Sequence, residues 1–344
     1  MPKLFSIVVP VYQNEANLPD TIPALLDLAR VLPAYRLELV FVDDVSFDRS
    51  LEILLEYASR HPEVVVVKLT RNFGQSPATQ AGLRHATGDC VGIISADLQE
   101  PHDLFVEMIR RWEAGAKFVI GERQARQEGR AHQRVSGIYW NIVRRLAFPG
   151  FPTMGYDFCL LDRQVVNDVN RINEKNSSVY LLIYWLGYHP VRLPLTRRLR
   201  TKGASQWRLW NKIGFTADTL VGFTSVPARV IMAMSFGMAT LCASYLAIAL
   251  ALWYRYRAAP PGWMSIVGVV ALIGAISLFS LGIVSEYLLR ILDEVRKRPP
   301  YVVENTEGFD GERPDVSSGG PGTCGTPPAL LDGRGRSLPL SADE

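Results

Sequence analysis

The chain has 344 residues, of which 48% are hydrophobic, and its 37 Lys and Arg against 34 Asp and Glu leave a formal charge of +3. That length suits one domain of about 200 residues plus a further part. Cys90, Cys159, Cys242 and Cys324 have neither metal-ligand nor paired spacing, which sets aside disulfide scaffolds and cysteine metal sites and reads as reduced, inert thiols.

In chain order, β-branched runs alternate with amphipathic stretches. Residues 5–11, 37–42, 64–69, 91–95 and 118–120 are the expected strands, and 18–32, 50–59, 77–85 and 104–112 the expected helices. Such alternation predicts a doubly wound α/β sheet with its ligand at the carboxyl ends of the strands. Polar clusters fall at those ends: residues 10–15 after the first strand, Asp43 and Asp44 after the second, 71–74 after the third and 97–100 after the fourth. The apolar run at 5–11 is too short for a cleavable signal and contains Pro10.

Beyond Gly121 the pattern loosens. Residues 134–148 and 209–226 read as amphipathic helices, each suited either to a membrane interface or to a packed core face. Two long apolar runs follow. Residues 230–254 contain no charged side chain, and 263–289 carry one acid, Glu286, near the far end. At about 1.5 Å per residue each covers a hydrocarbon core of about 30 Å, which predicts a transmembrane hairpin. Lys and Arg before and after the pair place both termini in the cytoplasm by the positive-inside bias. Ala243, Ala247 and Ala251 recur at helical spacing, which favours close packing within the hairpin or between subunits of a homo-oligomer. The tail from Asn305 is rich in Gly, Pro, Ser and Asp and is expected to be disordered. The expected parts are thus a catalytic domain over 1–208, a juxtamembrane segment over 209–229, two spans within 230–289, and a basic segment with a disordered tail over 290–344.

Neither Gly-x-Gly-x-x-Gly after the first strand nor Gly-x-x-x-x-Gly-Lys-Ser/Thr occurs, so the usual dinucleotide and P-loop phosphate cradles are missing. Asp43, Asp44 and Asp97, arriving at neighbouring strand ends, are expected to converge on one crevice, where like-charge repulsion is relieved by a divalent cation. Carboxylate and amide oxygens suit Mg²⁺ or Mn²⁺, which keeps waters and bridges a substrate diphosphate. This predicts a nucleotide-diphosphate donor.

The series Val9-Pro10-Val11-Tyr12, Val42-Asp43-Asp44-Val45-Ser46, Arg71-Asn72-Phe73-Gly74, Ala96-Asp97-Leu98-Gln99, Gly121-Glu122-Arg123, Asp157-Phe158 and Arg197-x-x-Arg200-x-x-Gly203-x-Ser205 resembles family 2 inverting glycosyltransferases of the polyprenyl-phosphate sugar synthase branch. The resemblance covers roughly residues 4–298. It implies a GT-A fold, a nucleotide-sugar donor, a polyprenyl phosphate acceptor and a lipid membrane; nucleic acid is not among the implied partners. Position by position, Pro10, Tyr12, Asn14 and Asp43 would hold base and ribose, and Asp97 and Gln99 the metal. Arg123 would hold the donor, and Arg200 the diphosphate or the acceptor phosphate. Glu15, Asp44, Arg71, Arg197 and Ser205 complete the implied substrate-binding set, with Asp157 and Asp97 carrying catalysis.

Three positions depart from the family pattern. Val45 replaces a glycine, Ser95 replaces the first acid of Asp-x-Asp, and Gln206 stands where a lysine is common. Two alternatives remain open on sequence: a processive polysaccharide synthase, against which Gln206-Trp207-Arg208 has the wrong spacing, and a non-catalytic scaffold that only binds nucleotide-sugar.

Overall fold

The computed structural model describes residues 2–123, 144–145, 148, 150–152, 155–172, 174, 177–197, 226–256 and 262–308. The strands are β1 (Lys3–Val11), β2 (Tyr35–Asp43), β3 (Val64–Leu69), β4 (Cys90–Ile93), β5 (Phe118–Arg123), β6 (Cys159–Asp162), β7 (Val191–Leu195) and β8 (Val303–Glu307). They form one mixed sheet in the order β7-β5-β6-β4-β1-β2-β3-β8. The centre β4-β1-β2-β3 is parallel, while β6 runs antiparallel to β4 and β5, and β8 antiparallel to β3.

Strands buried on both faces need apolar residues at consecutive positions, and the Val, Ile and Leu runs of β1 to β3 supply them. Period-two alternation then sorts them. Phe5, Ile7, Val9 and Val11 of β1, with Leu39 and Phe41 of β2, face a layer made of α1 (Leu18–Leu26), α2 (Leu28–Val31), α3 (Ser50–Arg60) and α5 (Leu104–Glu113). Val8, Val40, Val42, Val65 and Val67 face the opposite layer, made of α4 (Gln75–His85), α6 (Arg163–Asn170) and α7 (Val179–Trp185). Helix α4 lies so close to the sheet that a Cβ on Gly82 would stand 2.3 Å from Val8 Cγ1.

All five expected strands are present. The expected helix at 18–32 is divided at Asp27 into α1 and α2. Expected helices 134–148 and 209–226 fall almost wholly outside the described residues.

Helices α8 (Val226–Tyr256) and α9 (Trp263–Arg296) have 31 and 34 residues and pack on each other. Within α9, Gly268–Leu289 is long and apolar enough to cross a membrane by length and composition, with a mean hydropathy of 2.2 and none of it buried. Among the described residues it is the one segment that meets that test.

After α9 the chain returns to the sheet. Val302 O accepts from Thr70 N at 3.0 Å, β8 pairs along β3, and Lys68 Nζ lies 2.7 Å from Glu304 Oε1. Tyr301, 5% exposed, is buried in the core. The expectation of disorder from Asn305 is therefore corrected for residues 305–307: backbone pairing to an open sheet edge, with Tyr301 as anchor, orders a segment whose composition is polar.

Candidate active site

Parallel register brings the strand ends together. Val11 pairs with Asp43 and Asp43 with Lys68, while Val8 pairs with Ile93, so the loops after β1, β2, β3 and β4 share one edge. Each of three loops holds a non-glycine residue in the left-handed region: Gln13 (φ 53°), Val45 (φ 59°) and Leu98 (φ 47°). For β-branched Val45 this conformation is a genuine outlier, and backbone strain of this kind concentrates at functional sites.

Asp43 and Asp44 are both buried but do different work. Asp43 accepts from Ser46 N at 3.3 Å through both oxygens, long contacts that leave its carboxyl raised by burial. Asp44 accepts from Phe73 N at 2.7 Å with one oxygen and from Gly74 N at 2.8 Å with the other. Gly74 is the N-cap of α4, so Asp44 ties the β2 loop to the β3 loop and to the start of that helix. Burial raises the Asp44 carboxyl, and the two amides offset only part of the rise.

The loop after β1 is fixed similarly. Asn14 N donates to Ser50 Oγ at 2.8 Å, its side-chain amide donates to Tyr12 O at 2.9 Å, and Glu15 accepts from Arg49 N at 3.0 Å. Asn14 and Glu15 thus hold the wall of the crevice together. Pro10 and Tyr12 are half-buried in that wall, and Arg71 is exposed, with its guanidinium 4.4 Å from the centre of the Phe73 ring.

After β4 the Ser95 hydroxyl lies 2.7 Å from Asp97 Oδ1 and 2.5 Å from Glu100 Oε2. Burial pushes Glu100 up to about 7, with Asp157 adding to the rise and Arg197, Ser95 and Arg123 opposing it. Gln99 is buried beside Asp97, and its N–H points to Asp97 Oδ1 at 3.4 Å.

Glu100 also opens the second half of the site. Its Oε1 lies 3.0 Å from Arg197 Nε and 3.7 Å from an Arg123 terminal nitrogen. Arg123 is in turn ion-paired to Asp157, and Arg197 reaches the same Asp157 oxygen at 3.9 Å. Two arginines and two carboxylates from β5, the β4 loop, the segment before β6 and the end of β7 therefore form one cluster. Glu100 was not among the residues singled out by sequence. Its signals in the sequence were its place in the polar cluster 97–100 and the acid missing at position 95.

The structure thus joins Asp97, Gln99, Arg123, Asp157 and Arg197, and gives Asn14, Glu15 and Asp44 backbone-bracing contacts. Arg200 and Ser205 lie outside the described residues. The expected convergence of three acids on one ion is corrected: no group of three His, Cys, Asp or Glu that could hold a metal occurs among the described residues, and both Asp44 oxygens accept from backbone amides.

The profile described as "Glycosyl transferase family 2" matches residues 6–169, a stretch that contains every residue of the site described above except Arg197. An uncharacterized glycosyltransferase, YkcC of Bacillus subtilis, is 31% identical over 90% of this chain and 96% of its own. The chain belongs to glycosyl transferase family 2. It is a glycosyltransferase. An SfII prophage-derived bactoprenol glucosyl transferase of Shigella flexneri is 30% identical over 88% of this chain and 97% of its own. A prophage bactoprenol glucosyl transferase homolog of Escherichia coli K12 is 29% identical over 88% and 99%. The likeness of this family 2 chain to these relatives therefore extends through α8 and α9, well beyond the residues that the profile matches.

Proposed function

We propose that the protein transfers one sugar from a nucleotide-sugar, a UDP-sugar before GDP-mannose, to polyprenyl phosphate with inversion, and that it is anchored in the membrane by α8 and α9. The observation that carries this reading is the Glu100–Arg123–Asp157–Arg197 cluster beside Asp97. Two arginine forks stand next to a metal-competent carboxylate at the strand ends, which suits two phosphate-bearing substrates. Relatives named bactoprenol glucosyl transferase support the acceptor class.

In the proposed reaction a phosphate oxygen of the acceptor forms a bond to the anomeric carbon as the bond to the nucleoside diphosphate breaks. Asp43, Pro10 and Tyr12 line the base and ribose side, and Arg123 lies where negative charge develops on the leaving group. The acceptor is already an anion, so little base catalysis is needed near neutral pH. Asp157, ion-paired to Arg123, serves here to orient the arginines and the acceptor.

A Mg²⁺ or Mn²⁺ ion fits this donor set as a companion of the diphosphate: Asp97, held by the Ser95 hydroxyl, and Gln99 would bind it, with phosphate oxygens and water completing its shell. When bound, such an ion supplies charge stabilisation of the leaving diphosphate.

Two features support the membrane hairpin. Phe236, Leu241, Ile248, Leu278, Phe279 and Leu281 are all more than half exposed, an apolar surface that water disfavours. The chain also leaves the α/β domain before α8 and rejoins the same sheet at β8. An even number of crossings is required for that return, so if α9 spans, α8 spans with it. The catalytic domain and β8 then share the cytoplasmic side, on which the nucleotide-sugar is available.

The test is a screen of labelled UDP- and GDP-sugars with the membrane-embedded protein and undecaprenyl phosphate. Release of nucleoside diphosphate that depends on the lipid, for one donor class, is expected. Donor turnover indifferent to the lipid would overturn the acceptor assignment.

A further inference from the structure

We propose that Glu100 is a positioning residue that locks the metal side of the site to the arginine side, and that Ser95 is the partner that makes this possible. The inference rests on the glycosyl-transfer reading above and adds a residue to it. The Glu100 side chain is 1% exposed, and a buried carboxylate is costly unless its oxygens are satisfied. Its two oxygens turn in different directions. Oε2 meets the Ser95 hydroxyl, which also touches Asp97, while Oε1 makes no hydrogen bond among the described residues and is compensated by the charges of Arg197 and Arg123.

The bridge explains why a serine stands at position 95. An aspartate there would set a third carboxylate within contact distance of Asp97 and Glu100, and like charges so close repel. A hydroxyl instead brings no charge and offers its proton to the carboxylates on either side. Ser95 and Glu100 thus form one unit: the first gives up the family's usual acid, and the second supplies a carboxylate from five residues further on. That unit keeps Asp97 and the two arginines in fixed relation, and a misplacement of about 1 Å at such a site costs about 10²-fold in rate.

Glu100→Gln preserves shape and removes the charge that gathers the arginines. If the role were purely electrostatic repulsion of anions, the change would tighten the donor and speed transfer. Positioning predicts a split: donor affinity by calorimetry within about threefold of the parent or tighter, with kcat lower by about 10- to 100-fold. Ser95→Ala cuts the other end of the bridge without touching a charge and is expected to lower kcat by about tenfold. The double variant should be no worse than Glu100→Gln alone, because both changes break one link.

Turnover is followed as nucleoside diphosphate release with and without polyprenyl phosphate, alongside the thermal midpoint of each variant. A parent not stimulated by the lipid overturns the acceptor reading, and the variants are then compared on donor hydrolysis. A parent that responds while both single variants keep kcat within about twofold overturns the positioning role. So does a double variant whose losses multiply. Should Glu100→Gln fail to fold, Ser95→Ala alone decides by its kcat.

Discussion

Asp44→Ala separates bracing from binding most sharply. The Asp44 carboxylate accepts the Phe73 and Gly74 amides at 2.7 and 2.8 Å, across 29 and 30 residues of chain. Hydrogen bonds to a charged acceptor are worth about 1.5–3 kcal/mol each, so the pair is worth about 3–6 kcal/mol gross. Burial of the charge, which raises the carboxyl, offsets part of this. A net loss of about 2–4 kcal/mol is expected, and for a domain of about 200 residues that lowers the unfolding midpoint by about 5–15 °C. Asp44→Asn keeps one acceptor and turns an N–H toward the second amide, so its loss should lie between parent and Asp44→Ala. Thermal unfolding of the detergent-solubilised protein without donor reads this directly. A midpoint for Asp44→Ala within about 2 °C of the parent, together with lost donor affinity, would refute the brace and return Asp44 to the donor pocket.

Three further outcomes follow from named residues. Val45→Gly should raise stability by about 0.5–1 kcal/mol, since relief of about 1–2 kcal/mol of left-handed strain exceeds the added freedom of the unfolded chain, about 0.4–1 kcal/mol; a lower midpoint would show that Val45 packing outweighs strain. Burial raises the Asp43 carboxyl, so the folded chain binds that proton more tightly than the unfolded chain does. Stability from this group therefore falls as pH rises from the ordinary carboxylate value through the raised one, and Asp43→Asn should flatten that part of a midpoint-against-pH profile. An unchanged slope would contradict it. Asp97→Asn should abolish turnover with an unchanged midpoint, whereas near-parent activity, or full parent activity in excess chelator, would remove Asp97 from the site.

The central strands were legible because parallel strands covered on both faces must be apolar at nearly every position, and β1 to β3 are. Strands β6 to β8 lacked that signal. Strand β6 has four residues, too few to display a period; β7 is interrupted by Pro194; and β8, Val303–Glu307, is polar and held by edge pairing. The candidate residues at the ends of the expected strands, Asp43, Asp97 and Arg123, could be picked out with them. The division of labour between Asp43 and Asp44 was not readable, because it depends on where Phe73 and Gly74 arrive in space. Glu100 was hidden for the same reason: its partners Arg123 and Arg197 come from distant segments, and only the fold brings them to it.

The most direct test of the account is mass spectrometry of the lipid formed when the purified protein meets undecaprenyl phosphate and the donor that the screen selects. The account predicts a polyprenyl phosphate heavier by one sugar residue, formed by the parent and lost in Asp157→Asn while that variant still binds the donor. A polymer of several sugars, or donor consumption with the lipid left unmodified, would contradict it.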